Sequence, residues 1–447
     1  MNSDALHHRC RKFTSAWNPL IVIGVLLSIL SIEVPGARAK RIFFAGYDGG
    51  FYIKSEELGG MKLRLGGALQ SDYRYYGESE RDDNRFDIRR ARMAFKGDLT
   101  QYFSFGVEYE FQGNQSKHLV DAWGQANLFG THALRFGQFK EPFSLEWQTR
   151  DKALYFAERS IMFSLGPGRD VGLMLHGSLF QDALIYGAGI FNGDGVDGST
   201  GGNRHDDPEF ASRVVVSPFR PFDIPWLKTV QFGASATAAG IDLSDVDLEV
   251  KSTGMFGTDL NLYELNANSK FGVLQDVDKR YRYALEAAWT HGPFAILGEY
   301  THLTYTDLQP AGMPAQDADF SAWYAAALWS VTGEPIIIRK GKLKPMYPER
   351  FFNPAEGTYG AVVLAARVEH FSGDEDWIKP DASVSAEDAD AASLAINWIL
   401  FPMQRFILDF TYTDFSDPLK VSVDPKDGSV DFVDKETVVT FRFSLDF

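Results

Sequence analysis

The stretch RFDIRRARMAFKGD, residues 85–98, carries Arg90, Arg92 and Lys96 at every-second spacing, with Met93 and Phe95 on the opposite parity. In extended backbone, alternate residues share a face and stand about 7 Å apart. The three cations then form a ladder. A guanidinium presents several donors in a planar fork that suits oxyanions, and an ammonium acts as a point charge. An opposing arrangement uses the same residues: Glu108 and Glu110 in YFSFGVEYEF alternate in step and would neutralise the ladder by cross-strand ion pairing. The pattern alone leaves both open. Arg135, between Leu134 and Phe136, adds a further cation of the same parity type. Lys140, Arg150, Lys152 and Arg159 belong to KEPFSLEWQTRDKALYFAERSIMFSLGPG, residues 140–168, where Glu141, Glu146, Asp151 and Glu158 match them in number.

Such residues select ions; they do not make or break bonds. No G-x-S-x-G, Walker or H-E-x-x-H pattern is present, and no enzyme activity or cofactor is expected. GDGVDGSTGGNRHDD, 193–207, lacks EF-hand spacing and reads as a flexible Gly/Asp loop, with no metal expected. The one cysteine, Cys10, precedes the only apolar run, LIVIGVLLSILSI, Leu20 to Ile32. A basic start, that run and Ala37-Arg38-Ala39 predict a secretory signal peptide over 1–39, cut before Lys40. A short membrane anchor is the alternative, and the run is short for a span. Residues 1–39 carry four basic and two acidic groups, so their removal takes the net charge from −16 to −18. Nucleic acid, which demands positive surface, is not an expected partner.

The elements that would position these cations are strands. YFSFGVEYEF sends Phe103, Phe105, Val107, Tyr109 and Phe111 to one face; RFILDFTYTDF sends Phe406, Leu408, Phe410 and Tyr412. About sixteen period-two segments follow one another: 61–75, 85–97, 102–113, 118–129, 132–139, 169–180, 182–192, 210–217, 228–239, 280–291, 293–306, 319–331, 358–371, 391–401, 404–414 and 436–447. Short connections alternate with long polar ones at 76–84, 140–168, 193–209, 240–279, 307–318, 372–390 and 415–435. This rhythm, with an even strand count near ten residues each, predicts an all-β transmembrane antiparallel barrel over residues 40–447. A secreted β-sandwich or propeller shares the alternation, but the aromatic density of one face and the loop rhythm argue against it.

The final strand, TVVTFRFSLDF, alternates to its end. An exposed edge of that kind aggregates in water, and its unpaired backbone groups are costly in lipid. Pairing with the first strand removes both problems and turns Thr440, Arg442, Ser444 and Asp446 inward. Segment 140–168 is too long for an ordinary connection. Its Phe143, Leu145, Trp147, Leu154, Tyr155 and Phe156 suit it to lie against the inner wall. The 26 residues of 332–357 fall where a short turn is due, and the pattern gives no reason for their length.

Several stretches resemble the phosphate-selective porin O and P family of Gram-negative outer membranes. They are AGYDGGFYIKSE with LRLGGALQSDYRYY, FDIRRARMAFKGDL, LRFGQFKEPFSLEWQTRDKALYFAERS, GRDVGLMLHG, GIFNGDG, WSVTGE and INWILFPMQRFILDFTYTD, in family order from about residue 45 to the end. The resemblance implies sixteen-stranded homotrimeric barrels, 140–168 as a constriction loop in the lumen, and passive uptake of small anions such as phosphate. It also implies contact with outer-membrane lipid and lipopolysaccharide, and makes Phe447 the terminal residue that barrel assembly machinery reads. Pore-lining candidates are then Arg90, Arg92, Lys96, Arg135, Lys140, Arg150, Lys152 and Arg159. The acidic loops SGDEDWIKPDASVSAEDADA and SDPLKVSVDPKDGSVDFVDKE run against an anion channel. They keep alive a weakly selective or cation-preferring porin, and a plugged structural or adhesin barrel.

Overall fold

The computed structural model describes residues 43–447 except 48–49, 57, 78–83, 113–117, 194–206, 223, 257–260, 267–272, 379–384 and 424–429. The expected signal peptide and most of the 193–207 loop lie outside the described residues. A hairpin of β1 (Phe43–Tyr47) and β2 (Phe51–Ser55) comes first. Sixteen strands then form the wall: β3 (Met61–Tyr76), β4 (Arg85–Asp98), β5 (Phe103–Glu110), β6 (Leu119–Asn127), β7 (Ala133–Lys140), β8 (Arg169–Leu179), β9 (Leu184–Phe191), β10 (Glu209–Val216), β11 (Gln231–Gly240), β15 (Lys279–His291), β16 (Phe294–Pro310), β17 (Gln316–Ser330), β18 (Ala361–Ser372), β19 (Asp388–Phe401), β20 (Gln404–Val423) and β21 (Val430–Asp446). Three short strands, β12 (Asp247–Val250), β13 (Tyr263–Asn266) and β14 (Leu274–Asp276), belong to the connection between β11 and β15.

Every neighbouring pair in the wall is antiparallel, and the cylinder closes where β21 meets β3, from Val438 opposite Tyr76 to Asp446 opposite Ala68. Closure leaves no edge, which a lipid-exposed sheet requires. The last strand alternates as expected: Phe441 is 47% exposed on the outside, while Arg442 and Ser444 are buried inside. At the seam, Gly67 N–H donates to Phe447 O at 2.7 Å and Phe447 N–H returns to Gly67 O at 3.0 Å. A Cβ on Gly67 would lie 2.6 Å from Arg92 O and 2.6 Å from the Phe447 ring. Gly67→Val is therefore expected to obstruct closure. After refolding in detergent, the heat-modifiable band of the native barrel should fall to a minor fraction, while Gly298→Ala, where a Cβ has only a 3.5 Å neighbour, should fold normally.

Four features depart from the period-two expectation. The β1–β2 hairpin extends the wall beside the first half of β3, with Phe51 opposite Leu65 and Ser55 opposite Met61. The sequence joining them, Asp-Gly-Gly, carries the D-G signal of a hairpin. β20 and β21 continue far beyond 414 and 436, so most of the expected 415–435 loop is a tall hairpin. The 240–279 connection enters the lumen: Phe256 O accepts from Arg74 at 2.6 Å, and Ser252 Oγ donates to Glu436 at 2.8 Å. Part of the interior of β16–β18 is not a water-facing wall but an apolar core, where Leu303, Tyr305, Phe320, Ala322 and Phe371 pack with Leu248, Val250 and Leu262 of that connection. A strand with lipid on one face and packed side chains on the other reads as a near-continuous apolar run, and SAWYAAALW of β17 is one.

Candidate functional site: a cationic cavity in the lumen

Segment 140–168 crosses the lumen as expected of a constriction loop, and its six expected anchors are all buried. Its only α-helical turn, α1 (Leu145–Gln148), is capped by Ser144, whose Oγ accepts from Trp147 N–H at 3.2 Å. The first two N–H groups of α1, from Leu145 and Glu146, donate to the Glu299 carboxylate of β16 at 2.6 and 2.7 Å, satisfying orphan donors of the helix start. Further along, Ala157 N–H donates to Asp409 of β20 at 2.8 Å, and Ile161 N–H to Glu369 of β18 at 2.7 Å. Asn397 of β19 donates to Tyr155 O at 2.7 Å. Buried carboxylates and amides of the wall thus hold the loop by its backbone.

One carboxylate of the loop holds it from the other side. Glu158 sits within 2.7 Å of Arg74 on β3, Arg89 on β4 and Arg442 on β21, while Asp72 binds Arg442 through two bonds of 2.7 Å. Burial alone would raise the Glu158 carboxyl; the guanidiniums of Arg89, Arg442, Arg74 and Arg90 outweigh it and hold it well below the usual range. A β-bulge makes this possible. Gln70 pairs with Arg90 but Ser71 pairs with Ile88, which leaves Arg89 as the extra residue. Arg89 and Arg90 then both reach inward although they are sequence neighbours.

This web takes up part of the predicted ladder. Arg90 is 8% exposed, paired with Asp151 at 3.2 Å, and lies behind the cavity wall. Arg92 binds Glu110 at 2.6 Å and Asp151 at 2.8 Å, and Lys96 lies 3.4 Å from Glu108. The ion-paired arrangement, not the open ladder, is the one adopted by these three, although Arg92 and Lys96 still touch the cavity. Arg159 is buried, donates to Glu146 O and Thr149 O and pairs with Asp151 at 2.7 Å, so it braces the loop. Lys140 donates to Trp147 O at 2.6 Å and lies over the Trp147 ring.

Between this loop and the short-turn end lies a cavity of about 790 Å³, bounded by β3–β10. Among the described residues, twelve lysines and arginines line it against four aspartates and glutamates. Arg135 lies in it, stacked 4.3 Å from the Trp123 ring centroid, with Nε and Nη2 donating to Gln125 at 3.0 and 2.7 Å. Arg150 is exposed to it, and Lys152 lines it too. Among the described residues, no carboxylate lies within 4.0 Å of Arg135 or Arg150.

The unexplained length of 332–357 is resolved here. The segment leaves β17 and folds up into the lumen. Ile338 bridges to Leu343 around Lys340 and Gly341, both at positive φ (53° and 63°). Arg213 of β10 donates to Gly341 O at 2.8 Å, and Leu343 N–H donates to Thr149 Oγ1 of the constriction loop at 3.2 Å. Ile336, Leu343 and Met346 are buried as the stem of this arm. Its tip presents Lys340, Lys342 and Lys344 to the cavity. Burial and the charges of Arg213, Arg135, Arg150 and Lys344 push the Lys342 ammonium down to about 7.

The sequence profile described as phosphate-selective porin O and P matches residues 63–447. The chain belongs to this porin family. It is therefore a protein of the Gram-negative outer membrane. Among solved structures, an anion-selective porin from Comamonas acidovorans is 11% identical, covers 87% of this chain and all of its own, and superposes with a TM-score of 0.51. The outer membrane channel DcaP of Acinetobacter baumannii is 12% identical over 90% of this chain and 100% of its own, with a TM-score of 0.51. OmpT of Vibrio cholerae, in a trimer form, is 12% identical over 87% and 99%, with a TM-score of 0.52. At these identities the likeness is one of fold. No curated protein matches the chain in sequence.

In this porin the lining cations missed by sequence reasoning are Arg64, Arg169, Arg213, Lys340, Lys342 and Lys344, with Trp123 as the seat of Arg135. The arm was findable only as the RKGKLK cluster of 339–344 within an over-long turn. Charge is thus sorted by place. Bases gather at the cavity, while Asp317, Asp319, Glu375, Asp376 and Asp390 are exposed at or near the long-loop ends of β17–β19. That sorting reconciles an acidic chain with a basic interior.

Proposed function

We propose that this porin is a passive channel for small anions, phosphate among them, and that it catalyses no reaction. The observation that carries the reading is the cationic cavity, in which Arg135, Arg150, Lys342 and Lys344 have no carboxylate within ion-pair distance among the described residues. A water-filled constriction lined by one sign of charge concentrates the opposite ion and sets selectivity. Aspartates near the outer rim repel anions at low salt and are screened beyond about 10 Å at 0.1 M. Of the expected lining residues, Arg135, Arg150 and Lys152 act directly in this proposal. Arg92, Lys96 and Lys140 contribute field from the cavity edge, and Arg90 and Arg159 hold the loop. A homotrimer, contact with lipid and lipopolysaccharide, and recognition of Phe447 by assembly machinery are part of the same proposal, supported by family membership.

Inorganic phosphate added to a chloride-conducting channel in a planar bilayer tests it. Phosphate is expected to lower the chloride current in a saturable way; a current that simply sums the two ions' mobilities overturns the phosphate part. The reading also predicts a pH profile. Lys342 is charged below about 7 and neutral above it, so the chloride-to-potassium permeability ratio should fall between pH 6 and pH 8. Lys342→Arg, which stays charged, should flatten that step.

A further inference from the structure

We infer that the cavity is built for organic anions with a flat apolar body, small aromatic carboxylates above all, rather than for inorganic oxyanions alone. This rests on the anion-channel reading and narrows its substrate class. The cavity, about 790 Å³, falls in the range of small-molecule sites, which combine apolar lining with a few convergent polar groups. Its lining mixes charge with apolar surface. The arm tip and segment 140–168 bring ammonium and guanidinium groups. The wall from β6 to β10 brings Trp123, Met174, Ile185 and Val215 inward among Arg135, Arg169 and Arg213, with Pro142 beside them.

Trp123 is held as a platform. Its ring lies over Gly106, where a Cβ would come within 2.5 Å of the indole, and it is partly buried. Arg135 stacks on it while its Nε and Nη2 are occupied by Gln125. Nη1 of Arg135 has no bonded partner among the described residues. The guanidinium is therefore fixed in orientation with the Nη1 donors left to offer. Lys342 feels the charge of Arg135, which places a second cation in the same region. A carboxylate held between Arg135 and Lys342 leaves its apolar body against the edge of Trp123 and against Ile185. An inorganic oxyanion gains nothing from that surface, whereas burying the apolar body of an organic anion is favourable.

The test uses the full mature barrel in planar bilayers with symmetric KCl, titrated separately with benzoate and with inorganic phosphate. Benzoate is expected to reduce the current with an affinity at least tenfold tighter than phosphate. Trp123→Ala should lower the benzoate-to-phosphate affinity ratio at least fivefold, and Ile185→Ser should lower it in the same direction. A single-channel conductance in the wild-type range certifies that each variant has assembled. Equal affinities for the two anions in the wild type, or a ratio unmoved in both variants, overturns this inference while leaving the anion channel standing. A wild-type channel that prefers potassium to chloride overturns the underlying reading and this inference with it.

Discussion

Replacing Arg135, Arg150 and Lys342 together by glutamine is expected to abolish anion preference. A unit charge about 8 Å from a permeating ion contributes about 2 kcal/mol at an effective dielectric of 20, and less where water fills the gap. Taking about 1 kcal/mol per charge, three charges are worth roughly a hundredfold in permeability ratio, since 1.4 kcal/mol is tenfold. The carboxylates of Glu108, Asp121 and Asp151 remain at the cavity, so the triple variant should pass potassium at least as well as chloride. Reversal potentials in a KCl gradient check this. The three positions were chosen because none is ion-paired among the described residues. The same change at Arg90, Arg92 and Arg159 would instead break the web that holds the loop, and would report on folding more than on selectivity.

Glu158→Gln is expected to have the largest effect on stability. The carboxylate compensates three guanidiniums at 2.7 Å, and Arg74 and Arg442 are almost wholly buried. Removing one partner of a buried ion pair costs about 3–5 kcal/mol, because it strands the charges left behind. The expected result is a lower unfolding temperature in detergent, together with a larger and noisier single-channel conductance as 140–168 leaves the wall. The pH sign follows from the direction of the shift. The folded Glu158 carboxyl lies well below the unfolded value of about 4.3. Its stabilisation is fully present above that value and is lost as pH falls through the folded one. Conductance should therefore hold steady down to pH 4 in the wild type. A variant whose conductance and melting match the wild type would show that backbone bonds to Glu299, Asp409 and Glu369 suffice to hold the loop.

How much of this was legible in the sequence depends on which residues obey a period. The strands did: the sixteen segments fall on sixteen wall strands because lipid outside forces alternation. The inward path of 140–168 was visible from its length and its apolar anchors. Arg89 was not, because a bulge changes the phase of β4 and no local residue type announces it. The charge partners were visible only as alternatives, since Glu108 and Glu110 sit opposite the ladder in register, whereas Asp151 and Glu158 arrive from a loop whose path periodicity cannot trace. Lys340, Lys342 and Lys344 stood in plain view as a basic cluster. Nothing in their spacing says that a connection at the short-turn end folds up into the barrel, because that depends on Arg213 and Thr149, far away in sequence. The apolar part of the β16–β18 interior was written in SAWYAAALW, whose two faces are both apolar, but expecting water inside hid its meaning.

The central claim is that the cations of the cavity, and not the acidic total of the chain, decide which ion passes. The zero-current potential of the reconstituted wild-type channel across a tenfold KCl gradient tests it most directly. The account predicts the sign set by chloride, with chloride several times more permeant than potassium at pH 6. A potential of the opposite sign, or a membrane that stays silent after the barrel has inserted, would contradict it.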